Sequence, residues 1–271
     1  MRLSISHLTT YTYEHPDSYA LLQLRLKPRD GHGQTVIDWS TEVTGGTPQL
    51  SFDDEYGNHV DLILVDPDAT QLTIASEGIV DVEDHAGVLG THKTFTPLWL
   101  YEAATPLTAP GKSLRKLATR MKALADEPLL SRMHTLSALI AETVTYETGR
   151  TDAATTAETA LAAGHGVCQD HAHIMIAVAR LMGVPARYVS GYLLMDDRTQ
   201  QDAAHAWAEV WIDGLSWVGF DVSNAICPDD RYVRVAVGRD YRDAAPTHGI
   251  RHGTGGEDLS VALKIQSQTG Q

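Results

Sequence analysis

Short runs in which apolar and polar residues alternate dominate the first third of the chain. They cover residues 3–13, 21–27, 36–43, 60–65 and 72–82, and they are separated by clusters rich in glycine, proline and aspartate. Such alternation is typical of β-strands that bury one face. We therefore predict a β-rich, antiparallel N-terminal domain spanning residues 1–100.

Beyond residue 100 the apolar residues follow the spacing of amphipathic helices. The pattern predicts helices over residues 112–127 and 131–145, a short helix that follows Thr155 and ends at Ala163, and a helix over residues 168–182. The last of these is apolar on nearly every side, which places it at the centre of a domain. Strands are predicted over residues 187–195, 205–212, 215–222 and 259–265. Helices followed by antiparallel strands predict an α+β domain over residues 101–271.

Cys168 stands at the start of the central apolar helix, directly after the glycine-rich run of residues 164–167. The unpaired N–H groups and the dipole at a helix start favour a thiolate over a thiol, and the thiolate is the nucleophilic form. A small buried residue that begins a core helix is the alternative interpretation.

Two further segments supply a base and an acid. His205 lies in Ala-His-Ala-Trp-Ala-Glu-Val-Trp at residues 204–211, and Asp221 closes Trp-Val-Gly-Phe-Asp at residues 217–221. A thiol, an imidazole and a carboxylate suggest a nucleophile, a base and a residue that orients the base. We expect Asp221 to orient His205, and His205 to share the proton of Cys168 as a thiolate–imidazolium pair.

The turn at Asp213–Gly214 allows two registers for the hairpin that carries this pair. In a two-residue turn Ile212 would pair with Leu215, and His205 would lie on the opposite face from Asp221. In a three-residue loop with a left-handed Gly214, Trp211 would pair with Leu215, and His205 would lie opposite Asp221. The second register is favoured because it gathers the apolar residues on one face.

The chain has 271 residues, two cysteines and a formal net charge of -14. This charge disfavours nucleic acid and anionic membranes as partners and suits neutral or cationic substrates. Two cysteines argue against a disulfide scaffold. Polar residues interrupt the apolar residues at the N-terminus, so we expect a cytoplasmic protein, and the oligomeric state stays open.

The motifs resemble the transglutaminase-like superfamily, and within it a bacterial cysteine-peptidase-like branch with a bacterial transglutaminase-like N-terminal region. The resemblance rests on residues 164–170, 183–192, 204–211, 219–221 and 238–241. It implies a papain-like core, a central cysteine helix packed on an antiparallel sheet, with Cys168, His205 and Asp221 at the catalytic positions. It also implies amide acyl chemistry without metal or organic cofactor.

Two positions depart from the family pattern. Residues 222–224 read Val-Ser-Asn where relatives commonly have Pro-Thr-Asn, and His171 stands where an aromatic residue often follows the Cys-Gln-Asp run. The first departure leaves Asp221 in place but makes the end of its strand less rigid. The second alters the packing of the pocket.

The expected reaction is attack of Cys168 on a carboxamide of a peptide or protein, most simply hydrolysis of a peptide or isopeptide-like amide. An amine acceptor in place of water would make the same site a transglutaminase. The oxyanion would be held by the backbone N–H of Cys168 with Tyr146 or Gln169 as second donor. His171 and Trp217 are candidates for the walls of the site.

Two alternatives stay open. A zinc site could draw on Cys168, His171, His173 and His205, but the sequence has neither Cys-x-x-Cys nor His-Glu-x-x-His spacing, and His173 lies on a different helix face from Cys168. A binding module without catalysis could also have kept the papain-like scaffold. The presence of a cysteine, a histidine and an aspartate in this order argues against loss of activity.

Overall fold

The N-terminal region is built from strands, as its alternating pattern predicts. The fold was obtained as a computed structural model that describes residues 1–16, 19–91, 95–195, 199–201, 203–253 and 255–268. Buried and solvent-facing residues alternate along the first strand, so one face supplies the core. The N-terminal strands are β1 (Arg2–Tyr13), β2 (Tyr19–Leu24), β3 (Gln34–Thr44), β4 (Gly46–Asp53), β5 (His59–Val65) and β6 (Gln71–Val82).

Helices then alternate with short strands before the second large sheet. A 3₁₀ turn, Leu98–Glu102, links the two regions. The elements that follow it are α1 (Lys112–Lys122), α2 (Leu129–Thr143), β7 (Thr145–Tyr146), α3 (Ala157–Ala163), β8 (His165–Gly166), α4 (Cys168–Leu181), β9 (Ala186–Leu193), β10 (Gln200–Gln201), β11 (His205–Ile212), β12 (Ser216–Phe220), β13 (Tyr232–Gly238), α5 (Tyr241–Ala244), β14 (Thr247–His252) and β15 (Glu257–Ser267).

The central helix α4 is enclosed on almost every side, as its uniformly apolar sequence predicts. It packs against α1, α2 and α3 on one side and against β9 and β11 on the other. Alternate residues of β11, which include Ala206, Ala208 and Val210, lie in the same apolar core as α4. No helix in the described part of the chain is both long and apolar enough to cross a membrane.

The last two long strands return to the N-terminal sheets. In the described residues one sheet has the order β10-β15-β1-β6-β3, a second has the order β14-β2-β5-β4, and the sheet beside α4 has the order β12-β11-β9-β13. The terminal strand was expected in the α+β domain, and this expectation was wrong: Leu263 and Ile265 of β15 pack with Leu3 and Ile5 of β1. Alternation identifies a strand but does not name its partner.

The hairpin between β11 and β12 differs from both predicted registers. Its loop has three residues and Gly214 is left-handed, with φ of 84°, but Ile212 pairs with Ser216 and Ala208 pairs with Phe220. The two-residue turn was therefore wrong, and the favoured register was wrong by two residues on one strand. An even shift leaves every side chain on its predicted face.

Two amide side chains of the N-terminal region hold the edge of the sheet beside α4. Asn58 donates to the carbonyl oxygen of Val237 (2.7 Å) and accepts from its N–H (2.8 Å). Gln34 makes the same pair of bonds to Arg234, at 2.9 and 2.8 Å. Strand β13 is the last strand of its sheet, so these amides satisfy backbone groups that an edge strand would otherwise leave unpaired.

We predict that Asn58→Ala lowers the free energy of unfolding by about 2 kcal/mol, because it leaves buried backbone groups of Val237 without partners. Urea denaturation followed by circular dichroism measures the change. Gln49→Ala is the matched control, since Gln49 is an exposed amide of the same region. Equal effects of the two substitutions would contradict the role given to Asn58.

Candidate active site

Cys168 is the first residue of α4, and the loop before it is held rigidly. Asp170 accepts hydrogen bonds from the Val167 N–H (2.8 Å) and from the Thr151 hydroxyl (2.7 Å). At Gly166 an added Cβ would lie 2.7 Å from the Asp170 side chain, so the close approach requires glycine. These contacts set the direction in which the chain enters the helix and thereby position the thiol.

His205 and Asp221 are hydrogen bonded at the start of β11. The His205 Nε2–H donates to Asp221 Oδ2 at 2.6 Å, and both side chains are buried. The ladder of the hairpin, continued by one pair, places Asp221 opposite Trp207, so His205 and Asp221 meet as diagonal neighbours. We predicted that His205 and Asp221 would be directly opposed across the hairpin, whereas in the structure they make contact as diagonal neighbours.

Asp221 is held by two further donors that the sequence analysis did not identify. The Asn224 amide donates to Oδ2 at 2.7 Å, and the Tyr232 hydroxyl donates to the same oxygen at 2.7 Å. The Asn224 backbone N–H also donates to Oδ1, at 3.2 Å. Asn224 lies three residues after Asp221, a spacing typical of turns that could have been recognised in the sequence. Tyr232 belongs to β13, and nothing in the residues around it indicates a contact with Asp221.

The hydrogen bonds decide the charges of the pair. Burial on its own lowers the pKa of His205, but its bonds to Asp221 and Cys168 outweigh burial and raise that pKa well above its ordinary value. Burial would likewise raise the pKa of Asp221, yet the bonds from His205, Asn224 and Tyr232 lower it. A charged imidazole beside a charged carboxylate is the form that this environment favours.

The bond to Asp221 occupies Nε2, so Nδ1 is the ring nitrogen that remains for the thiol. Cys168 is one of the two groups whose interactions raise the pKa of His205, so the thiol lies near the imidazole. The three residues that the motifs suggested are therefore brought together. The arrangement can move a proton between sulfur and nitrogen, which is what a cysteine nucleophile requires.

The other predicted site residues have different surroundings. Tyr146 is half exposed on β7, and its ring lies 6.2 Å from the ring of His171. Gln169 points its amide toward the carbonyl oxygen of Ala153, at 3.5 Å. Trp217 is buried under the guanidinium group of Arg187, which lies 3.9 Å from the centre of its ring.

The two departures from the family pattern contact each other. His171 Nδ1 accepts a hydrogen bond from the Ser223 hydroxyl at 2.8 Å, and Nε2–H donates to the carbonyl oxygen of Val144 at 2.9 Å. Burial lowers the pKa of His171, consistent with this neutral pattern of bonds. Ser223 follows Asp221 by two residues, so the pair ties the turn after Asp221 to the central helix.

The residues of the zinc alternative are used in other ways. Both ring nitrogens of His171 have protein partners, and His173 Nε2 accepts from the Tyr241 N–H at 3.1 Å. In the described residues no group of three or more histidine, cysteine, aspartate or glutamate side chains is arranged to hold a metal ion.

Comparison with known proteins gives matches along most of the chain. The family model described as the transglutaminase-like superfamily matches residues 115–222, and that of the bacterial transglutaminase-like N-terminal region matches residues 3–81. The uncharacterised protein ML0607 of Mycobacterium leprae is 31% identical over 284 residues, which cover 97% of this chain and 98% of that protein. The uncharacterised protein Rv2569c of Mycobacterium tuberculosis is 32% identical over 290 residues, covering 97% and 91%.

Among solved structures, the crystal structure of a "putative cysteine protease" from Cytophaga hutchinsonii has the same fold. It superposes with a TM-score of 0.77 at 21% identity and covers all of this chain and 92% of that one. These matches agree with the α+β fold and the β-rich N-terminal region. The chain therefore belongs to the transglutaminase-like superfamily, with a bacterial transglutaminase-like N-terminal region ahead of its core.

Proposed function

We propose that the protein is a cysteine-dependent amidase or peptidase that hydrolyses a peptide or isopeptide-like amide through a thioester. The observation that carries the proposal is the 2.6 Å hydrogen bond between the buried side chains of His205 and Asp221, with Cys168 near enough to the same imidazole to help raise its pKa. A buried carboxylate that orients an imidazole, which in turn meets a thiol at a helix start, is the arrangement that cysteine-based acyl transfer requires.

The proposed reaction begins from the thiolate–imidazolium pair, in which His205 already holds the proton of Cys168, and the sulfur attacks the carboxamide carbon. The tetrahedral oxyanion collapses, the C–N bond breaks, and the imidazolium of His205 gives its proton to the leaving amine. Water then attacks the thioester while His205 accepts its proton. The carboxylic acid leaves, the sulfur departs as a thiolate, and the thiolate–imidazolium pair is restored.

The oxyanion is assigned first to the backbone N–H of Cys168, which has no intrahelical partner in the first turn of α4. Tyr146 remains the candidate for the second donor because its half-exposed ring lies close to His171 of the same helix. Gln169 is the weaker candidate because its amide is turned toward Ala153. The net charge of -14 suits a neutral or cationic substrate.

An iodoacetamide-type probe should label Cys168 selectively, and His205→Ala should slow this labelling because the thiol loses its proton acceptor. Cys227 is the internal control, since burial raises the pKa of its thiol. Peptide mass spectrometry locates the label. Labelling of Cys168 at an unchanged rate in His205→Ala would contradict an activated thiol and favour a binding module.

The stability contribution of His205 should depend on pH. Its folded pKa is raised, so the contribution is complete below about pH 6.5, where the unfolded histidine is also protonated, and it is lost as the pH rises through the folded value. Urea denaturation of wild type and His205→Gln at several pH values measures this difference. His248→Gln is the control, an exposed histidine on β14. A difference that grows with rising pH would contradict the assignment.

A library of peptides and carboxamides, screened with and without added amine, tests the reaction itself. We expect release of carboxylic acid products that Cys168→Ala abolishes and that His205→Ala lowers by about 10²-fold or more. Products that carry the added amine in place of acid would instead make the site a transglutaminase. Turnover that persists in Cys168→Ala would refute both reactions.

A further inference from the structure

A cavity of about 960 Å³ lies between the N-terminal region and the sheet beside α4. Its wall on the sheet side includes Trp207 and Trp217, which belong to the face turned away from α4. Tyr232 also lines it, so one wall backs onto the residues that hold Asp221. Cys168 is not among the lining residues, so the cavity is separate from the place where acylation would occur.

Two arginines of this wall share one carboxylate. Glu209 is fully buried, and its oxygens accept from the Nε–H of Arg187 at 2.5 Å and from the Nε–H of Arg234 at 2.8 Å. A weaker bond of 3.3 Å joins Arg234 to the same carboxylate. Two guanidinium groups against one carboxylate leave one net positive charge on this wall of the cavity, shared by the buried Arg187 and the partly exposed Arg234.

The donors of Arg187 are only partly used. The side chain is 4% exposed, it lines the cavity, and its guanidinium carbon lies 3.9 Å from the centre of the Trp217 ring. Only its Nε–H has a hydrogen-bond acceptor among the described residues, so its two terminal nitrogens keep their donors for something in the cavity. Because the Nε–H of Arg187 donates to Glu209, the two terminal nitrogens of the guanidinium group can together bind a planar anion such as a carboxylate in a bidentate manner.

The rim of the cavity has the opposite charge. Glu55 and Glu83 are exposed carboxylates among the lining residues. Asp30 is a further exposed carboxylate of the lining, and it accepts a hydrogen bond from the Val36 N–H. Three other lining aspartates are ion paired: Asp53 with Arg29, Asp54 with Arg25, and Asp229 with Arg231. A small molecule whose carboxylate is bound by the arginines could therefore place a cationic group beside Glu55 and Glu83 at the rim.

We propose that this cavity binds a small zwitterion, an amino acid or short peptide, whose carboxylate is held by Arg187 and Arg234 while its ammonium group faces Glu55 and Glu83. The site is distinct from the thiol, and the proposal does not depend on the reaction proposed above. The aromatic walls give the apolar part of such a ligand a surface to pack against.

Isothermal titration of Cys168→Ala with glycylglycine tests the proposal, since this variant removes the nucleophile and leaves the cavity intact. We expect saturable binding with one site per chain. Glycylglycine amide, which lacks the carboxylate, should bind about tenfold more weakly or worse. Arg234→Gln should weaken glycylglycine to a similar extent, whereas Arg251→Gln, which removes an arginine on β14 paired with Glu257, should leave the affinity unchanged.

A second pair of measurements separates the two ends of the ligand. Glu55→Gln together with Glu83→Gln should weaken glycylglycine but not N-acetylglycylglycine, which has no ammonium group. Thermal unfolding checks that each variant is folded. Equal affinity for glycylglycine and its amide, an unchanged affinity in folded Arg234→Gln, or the absence of saturable binding would each overturn the proposal.

Discussion

The hydrogen bonds that converge on Asp221 are the constraint on which the site depends. One buried carboxylate oxygen accepts from His205, Asn224 and Tyr232, at 2.6, 2.7 and 2.7 Å. A buried carboxylate is tolerated only when such donors replace the water it has lost. The same donors fix the orientation of the carboxylate, and the carboxylate in turn holds the imidazole in the orientation that leaves its second nitrogen for the thiol.

The fold supplies these donors from separate elements. Asp221 and Asn224 belong to one turn after β12, whereas Tyr232 belongs to β13, whose edge is held by Asn58 and Gln34 of the N-terminal region. The N-terminal region therefore contacts the strand that carries Tyr232, one of the hydrogen-bond donors to Asp221. His171 and Ser223 tie the same turn to α4, so the thiol and the carboxylate are positioned through one connected set of contacts.

Much of this arrangement could be predicted from the sequence because its signals are local. The apolar helix that begins at Cys168, the alternation in β1 and β11, and the left-handed Gly214 are each decided by neighbouring residues. The exact register of the hairpin could not be predicted. Burial of one strand face is satisfied equally well by registers that differ by an even number of residues, so it does not choose between them. Contacts between distant segments, such as β15 with β1 and Tyr232 with Asp221, could not be predicted, because the hydrophobic periodicity of a segment does not identify the segment that it contacts. Glu209 illustrates the same limit: its position on a strand gave no sign that Arg187 and Arg234 would meet it in the interior.

The nuclear magnetic resonance titration of the ¹⁵N-labelled His205 ring tests the central claim most directly, because it reports the charge of the imidazole between the thiol and the carboxylate. We predict that His205 stays protonated well above the ordinary pKa of about 6.5 and that this pKa falls in both Cys168→Ala and Asp221→Asn. An ordinary pKa in wild type that neither substitution moves would contradict it.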